Sequence, residues 1–222
     1  MISNSKINVF AINLRKRTDR RQHILKEFIG RNEFCFHLIE GQICEQKPRY
    51  GLWKTIVDLT KTAKKNQLEY FVLCEDDHIF TSNYSFVILI DCIVECKAMN
   101  ADLMLGGVSW CDFPIQISDN IFMVESFTGL QFTLVFSNIY DRIITAEFEY
   151  DDVSDLKISS LSNNIFLLHP FISKQKEFGY SDLTMNNQSV GRVELLFEKQ
   201  EMRLDKLKKV KNYLNLIQLG NE

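Results

Sequence analysis

The sequence predicts an α/β domain built on a largely parallel β-sheet. Three observations carry that expectation. Short runs of strand formers alternate with segments of helical periodicity through the first half of the chain. One run, Glu69–Cys74 (EYFVLC), turns continuously apolar after its first residue, as a strand covered on both faces must be. The 222 residues are 45% hydrophobic and 25% charged, a globular composition in a chain long enough to bury a substantial core.

The elements follow in order. Ile7–Leu14 (INVFAINL) reads as a strand that stops at Arg15-Lys16-Arg17. Thr18 suits an N-cap, and Asp19 to Ile29 repeats apolar residues at Ile24, Leu25 and Phe28, the spacing of one helix face. Phe34–Ile39 is a second strand, and residues 40–50 are polar enough for a loop. Leu52, Trp53, Ile56, Val57 and Ala63 mark a second helix, with Lys61, Lys64 and Lys65 in its last turns where they suit the dipole. The strand Glu69–Cys74 runs straight into Glu75-Asp76-Asp77-His78. A helix over Asn83 to Met99 and a short strand, Asp102–Leu105, come next. Ile121–Val124 and Leu130–Phe136, separated by Gly129, read as an antiparallel insertion. Tyr140–Phe148 reads as a helix, Asn164–Leu168 as a strand, residues 170–187 as irregular, and Arg192 to Leu219 as a long helix. The expected division is a domain over 1–190 and an amphipathic helical tail over 191–222.

Charge and cysteine content narrow the function classes. With 26 Lys+Arg against 29 Asp+Glu, the net charge of −3 offers no broad surface for nucleic acid. The six cysteines contain no C-x-x-C pair, which argues against a zinc ribbon or a thioredoxin-type site. Cys92 and Cys96 are spaced as neighbours on one helix face. The longest apolar stretch, Phe86 to Cys96, is far short of the ~20 residues of a membrane span, and the N-terminus does not read as a signal peptide. The expectation is a reduced, cytoplasmic protein. Along the last helix, Leu195, Leu196, Leu204, Leu207, Val210, Leu214 and Ile217 form an apolar face beside Lys206, Lys208, Lys209 and Lys211. That pattern fits docking on the domain, contact with a second subunit in a homodimer, or peripheral contact with anionic lipid at the inner membrane face.

Two clusters carry chemistry. Glu75-Asp76-Asp77 follows a buried strand at its carboxyl end, where open α/β sheets bind ligands. Adjacent carboxylates repel unless a cation offsets them, and oxygen-rich clusters suit Mg²⁺ or Mn²⁺ bridged to substrate phosphate. The alternative is a solvated acidic turn, and His78 reads as part of such a turn rather than a ligand. Arg15, Lys16, Arg17, Arg20 and Arg21 stand at the first strand's carboxyl end, entering a helix N-terminus. Arg17 and Arg20, one turn apart, are the pair best spaced for phosphate; the others fit a solvated helix face.

The opening VFAINLRKRTDRR (Val9–Arg21) and the segment FVLCEDDHIF (Phe71–Phe80) resemble glycosyltransferase family 25, the lipopolysaccharide-biosynthesis-type glycosyltransferases. FTLVFSNIYDRII (Phe132–Ile144) and HPFISKQKEFGYSDL (His169–Leu183) resemble its later blocks in the same order. The resemblance implies a GT-A-like, Rossmann-type fold, a nucleotide-sugar donor linked to UDP, a bound Mn²⁺ or Mg²⁺, and a saccharide or glycolipid acceptor. By the same resemblance Asp77 would ligate the metal, while Asp76 and Glu75 would serve the ribose or support the metal. Asn13 and Leu14 would line the nucleotide pocket, with Arg20 near the diphosphate. The chain departs from the family at RYGLWKTI (Arg49–Ile56), where a G-C-x-x-S-H-type motif usually stands.

Inverting transfer needs a carboxylate base. The region of Asp151-Asp152 and Asp155 matches one where the family carries an aspartate, which makes Asp152 or Asp155 the candidate; capping of the following helix is the alternative. His169 is either a further metal ligand or a buried hydrogen-bonded residue, and Trp110 either stacks on a sugar or packs in the core. Two other functions remain open: a metal-dependent phosphodiesterase, and a GT-A-like binding protein or scaffold without turnover.

Overall fold

A computed structural model of the chain describes residues 6–45, 47–179 and 191–219, the last five by backbone alone. The first half alternates as its sequence suggests: β1 (Ile7–Asn13), α1 (Thr18–Glu27), β2 (Phe34–Glu40), α2 (Pro48–Lys65), β3 (Tyr70–Glu75), β4 (His78–Phe80), α3 (Phe86–Ala98) and β5 (Leu103–Leu105). Then come β6 (Trp110–Cys111), β7 (Ile115–Gln116), β8 (Ile121–Val124), β9 (Phe127–Thr128), β10 (Phe132–Phe136), α4 (Tyr140–Thr145), α5 (Ser154–Leu161), β11 (Ile165–Leu168), β12 (Ser173–Gln175) and α6 (Arg192–Leu219).

The main sheet has eight strands in the order β2-β1-β3-β10-β5-β11-β8-β7. β2, β1 and β3 are mutually parallel, as are β5 and β11, whereas β10 and β8 run against their neighbours. Six of the eight strands therefore point one way, β7 included because it opposes β8.

Period-2 alternation divides the core between the two faces. Phe10, Ile12, Phe71, Leu73, Val135, Ile165 and Leu167 face Trp53 and Ile56 of α2, Ile143 of α4, Ile158 of α5 and Phe197 of α6. Val9, Ala11, Val72, Cys74, Leu134, Phe166 and Leu168 face Ile24 of α1 and Leu89, Ile93 and Cys96 of α3. Burial on both faces is why these strands read as unbroken apolar runs. Cys92 and Cys96 are buried free thiols on the inner side of α3.

Several local readings are corrected. Ile121–Val124 and Leu130–Phe136 do not form an inserted hairpin. β10 enters the centre of the sheet between β3 and β5, and β8 pairs with β11 on the far side. The N-cap of α1 is Arg17 rather than Thr18, with no side-chain capping bond. The loop after β2 is shorter than 40–50, because Pro48 opens α2. Helix α4 ends at Thr145, and Phe148 stacks on Trp53 at 5.0 Å instead of continuing it.

Helix α6 packs on the domain through Val193, Phe197 and Leu204. Arg203 donates to the Cys111 carbonyl at 2.9 Å, and Lys208 and Lys211 donate to the carbonyls of Asp119 and Gln116 at 2.7 and 3.3 Å. Those two lysines are therefore turned toward protein, while Leu207, Val210 and Leu214 stay exposed. Among the described residues no helix is long and apolar enough to cross a membrane.

Close backbone approach positions β12 beside the site. A Cβ on Gly107 would lie 2.1 Å from the Ser173 carbonyl oxygen, which is backbone and cannot swing away. Gly107→Ala is expected to cost about 2–4 kcal/mol, a melting temperature lower by roughly 5–15 °C, measured by thermal denaturation. An unchanged melting temperature would mean that β12 is free to move.

Candidate active site

β1 and β3 lie side by side and parallel, with Ile12 opposite Glu75. Their carboxyl ends therefore deliver the Arg17–Arg20 turn and the Glu75-Asp76-Asp77 loop to one place. Because β10 is antiparallel, with Phe132 opposite Cys74, its entering loop at Gly129–Leu130 reaches the same edge. β12 pairs with β4, setting Gln175 opposite His78 and within reach of Glu75. Together these ends enclose a cavity of about 910 Å³.

One side of the cavity is a charge network. Arg20 donates to Asp76 Oδ1 at 3.1 Å and to Asp77 Oδ2 at 3.0 Å. Arg17 approaches Asp76 Oδ1 at 3.6 Å. Asn13 donates from Nδ2 to Asp76 Oδ2 at 2.8 Å and to the Arg17 carbonyl at 3.2 Å, tying the first loop to the second. The Arg20 and Asp76 side chains are only 8% and 4% exposed, so this is a desolvated pair rather than a surface bridge. The Phe178 ring lies 4.9 Å from the Arg20 guanidinium and backs it.

The other side is acidic and hydroxylic. Glu75 accepts from Gln175 Nε2 at 3.1 Å. The Gly129 N–H donates to Asp155 Oδ2 at 3.1 Å, fastening the start of α5 to the turn before β10. Gly129 has φ of 109°, a conformation that favours glycine. Ser109, Thr128 and Ser154 line this wall. Ser109 and Thr128 share a hydroxyl–hydroxyl bond of 2.8 Å, while Ser154 is 3% exposed and its Oγ has no hydrogen-bond partner.

The carboxyls titrate unusually. Burial, then the negative charges of Asp77, Asp155 and Asp76, push Glu75 up to about 8. Burial lifts Asp77 to about 6, against the pull of Arg20. Burial also raises Asp155, held back by the Gly129 and Leu156 N–H groups. For Glu75 the folded value lies above the unfolded 4.5, so its contribution to stability is whole below pH 4.5 and is lost as pH rises through 8. Glu75→Gln is expected to melt with the wild type near pH 4.5 and about 3–6 °C above it at pH 9, on the order of 1–2 kcal/mol once water in the cavity is allowed for. Parallel melting curves over that range would sink the assignment.

The structure brings Leu14, Arg17, Arg20, Glu75, Asp76, Asp77 and Asp155 to one cavity, with Asn13 directly behind Asp76. It does not bring Asp152 or His169 there. The Asp152 carboxylate pairs with Lys157 at 2.8 Å and caps the Glu149 N–H, which holds it below the usual range. His169 is buried against Phe122 and Phe171, and its Nε2 meets Asp205 at 2.9 Å. Trp110 is 38% exposed and does not line the cavity. His78 is fully buried, bonded to Ser173 Oγ at 2.8 Å, and burial holds its pKa well below the ordinary value. Ser181 and Asp182, within the last family-like block, lie outside the described residues. Asp155 and Glu75 are the members of the acidic, hydroxylic wall named from sequence; Gln175, Ser154 and Phe178 were missed.

A divalent cation fits this arrangement in one way. Asp76 has both oxygens engaged, whereas Asp77 keeps a buried Oδ1 with no partner. Among the described residues no group of three or more His, Cys, Asp and Glu side chains is arranged to hold a metal. Asp77 would therefore share the ion with ligand phosphates and water, the habit of Mg²⁺ and Mn²⁺.

No family model matches the chain, and no curated protein matches it. Solved structures do. A197 from STIV superposes with a TM-score of 0.51 at 11% identity, over 77% of this chain and 85% of its own, which shows a shared fold. At lower TM-scores stand a glycosyltransferase involved in the glycosylation of the major capsid of PBCV-1 (0.41, 13% identity, 63% of this chain and 64% of that one) and UDP-glucose pyrophosphorylase complexed with UDP-glucose (0.47, 9%, 86% and 81%). None of these matches supports membership of glycosyltransferase family 25 in particular.

Proposed function

We propose that the chain is a glycosyltransferase that passes the sugar of a UDP-linked donor, with inversion, to a hydroxyl of a saccharide or glycolipid, using Mn²⁺ or Mg²⁺. One observation carries the reading. Two arginines and a carboxylate with a spare oxygen stand at the ends of β1 and β3, and a separate carboxylate, Asp155, faces them from α5 across a 910 Å³ cavity. Transfer of a phosphate-borne group needs those three functions apart from one another.

Arg17 and Arg20 hold the diphosphate and neutralise the charge that grows on it as its bond to the sugar breaks. Asn13 and Phe178 keep Arg20 and Asp76 in place. Asp77 would hold Mn²⁺ or Mg²⁺, which when bound would supply Lewis-acid stabilisation of the same leaving group. Asp155, fixed by the Gly129 and Leu156 N–H groups, takes the proton of the acceptor hydroxyl as its oxygen bonds to the sugar carbon and UDP departs. The apolar lobe made by Ile12, Leu14, Gly41 and Leu52, on the β1–β2 side, suits the nucleobase.

The test is UDP release from a panel of UDP-sugars with Mn²⁺ and saccharide acceptors. Asp155→Asn is expected to lower kcat by about 10²–10⁴-fold, and Asp152→Asn by less than about twofold. Full turnover in Asp155→Asn would remove it as the base. Cleavage of a phosphodiester without any response to UDP-sugars would replace the transferase with a hydrolase.

A further inference from the structure

We propose that the distal half of α6, with the neighbouring Phe113, is a docking face for an anionic lipid bilayer. This role does not depend on the sugar-transfer reading.

Packing stops partway along α6. Val193, Phe197, Gln200 and Leu204 are buried, but from Asp205 to Leu214 no side chain is. A helical stretch of that length gains little stability in water without a packed face. Its apolar residues are nonetheless aligned. At about 100° per residue, Leu207, Val210 and Leu214 fall on one stripe with Arg203, and all three are exposed.

Phe113 lies next to that stripe. Arg203 donates to the Cys111 carbonyl and Lys211 to that of Gln116. The chain from Cys111 to Gln116 therefore runs beside Leu207, and Phe113 stands on it, 69% exposed. Phe113 has φ of 44°, a left-handed conformation that bulky residues rarely adopt. Backbone strain that presents an aromatic ring to solvent serves a contact, since packing would have drawn the ring inward.

Charge selects the occupant. Glu194, Glu198, Glu201 and Asp205 repeat at helical spacing on one flank of α6, where Glu201 meets Lys174 and Asp205 meets His169. Lys199, Arg203 and Lys206 lie on the other flank, beside the apolar stripe. Over residues 205–214 four lysines stand against one carboxylate, in a chain whose net charge is −3. Anionic headgroups answer those cations, while acyl chains take Leu207, Val210 and Phe113. A second copy docked face to face would set the same lysines against one another. The cavity is reached at the other end of the helix, by Val193. The stripe lies roughly 20–30 Å further along, so this face is separate from the site.

The experiment is flotation of the full chain with phosphatidylcholine vesicles, with and without about 30% phosphatidylserine, at ~0.1 M salt. Partition into the anionic vesicles is expected to exceed that into neutral ones at least about tenfold, and to fall at least about fivefold at ~0.5 M salt. Leu207→Gln combined with Val210→Gln should lower it about tenfold, with the melting temperature little changed because both residues are exposed. Phe113→Gly should lower it about threefold and melt at or above the wild type, since glycine accepts φ of 44° without strain. Equal partition into both kinds of vesicle, or into neither, overturns the inference. Undiminished binding by the double glutamine variant does so too, because charge alone would then explain the contact. A chain that sediments as a dimer, and as a monomer with the two glutamines, would put a second copy on this face instead.

Discussion

Asp77→Asn is expected to lower kcat about 10²–10³-fold and to leave the chain folded, with a melting temperature equal to or slightly above the wild type's. The two halves of that expectation have separate causes. The loss of turnover comes from Asp77 Oδ1, the buried oxygen without a partner in the charge network. An asparagine oxygen carries no net charge and binds Mg²⁺ or Mn²⁺ poorly. The retained stability comes from the direction of the Asp77 pKa, raised to about 6 chiefly by burial. A carboxyl whose folded pKa exceeds the unfolded 3.8 contributes stability that is whole below pH 3.8 and is lost as pH rises through 6. At neutral pH the ionised group is a net cost, and removing its charge relieves it. Turnover of a UDP-sugar with added Mn²⁺ and a melting curve at pH 7.5 measure both halves. Full activity with Mn²⁺ would mean that Asp77 holds no metal.

Arg20→Met should do the opposite to stability. It leaves Asp76, 4% exposed, facing Asp77 with Arg17 and Asn13 to compensate among the described residues. Removing one partner of a buried pair costs about 3–5 kcal/mol, here a fall of roughly 6–20 °C in melting temperature. UDP affinity should fall by at least about tenfold, because a guanidinium contact to phosphate is lost. Arg20→Lys separates charge from shape. It should recover most of the melting temperature, since Asp76 and Asp77 are both reached from the single Nη1, but little of the affinity, since an ammonium cannot grip phosphate as a planar fork does. The double variant Arg20→Met with Asp76→Asn should melt above Arg20→Met alone. An Arg20→Met chain that melts with the wild type would show that the network is solvated rather than buried.

The candidate site was half legible in the sequence. The half that showed consists of two contiguous loops: Arg15–Arg21 after one strand and Glu75–Asp77 after another. Each is a local pattern at the end of an apolar run, and parallel neighbours put such ends together. Of the opposite wall only Asp155 showed, as one of two candidates for the base. Gln175 belongs to a three-residue strand whose partner, His78–Phe80, is equally short, and no periodicity survives in three residues. Choosing between Asp152 and Asp155, three residues apart on either side of the helix start, needed the Gly129 N–H that holds one and the Lys157 that draws off the other. His169 ends a strand as a ligand would, yet it meets Asp205, a residue of the last helix.

Local chemistry alone determined which of the longer segments are strands and helices, because side-chain period and backbone propensity act within a few residues. It also determined where cations and carboxylates accumulate along the chain. Tertiary structure decided the rest. β10 slides between β3 and β5 and carries Gly129 to the site, although its own residues only announce a buried strand. The first part of α6 is spent on the core rather than left as a free amphipathic face. Burial and the charges of Asp77, Asp155 and Asp76 raise the Glu75 pKa, and burial and the charge of Asp76 raise that of Asp77 against the pull of Arg20. Those properties depend on distance and dielectric, and both exist only once residues far apart in the chain have been packed together.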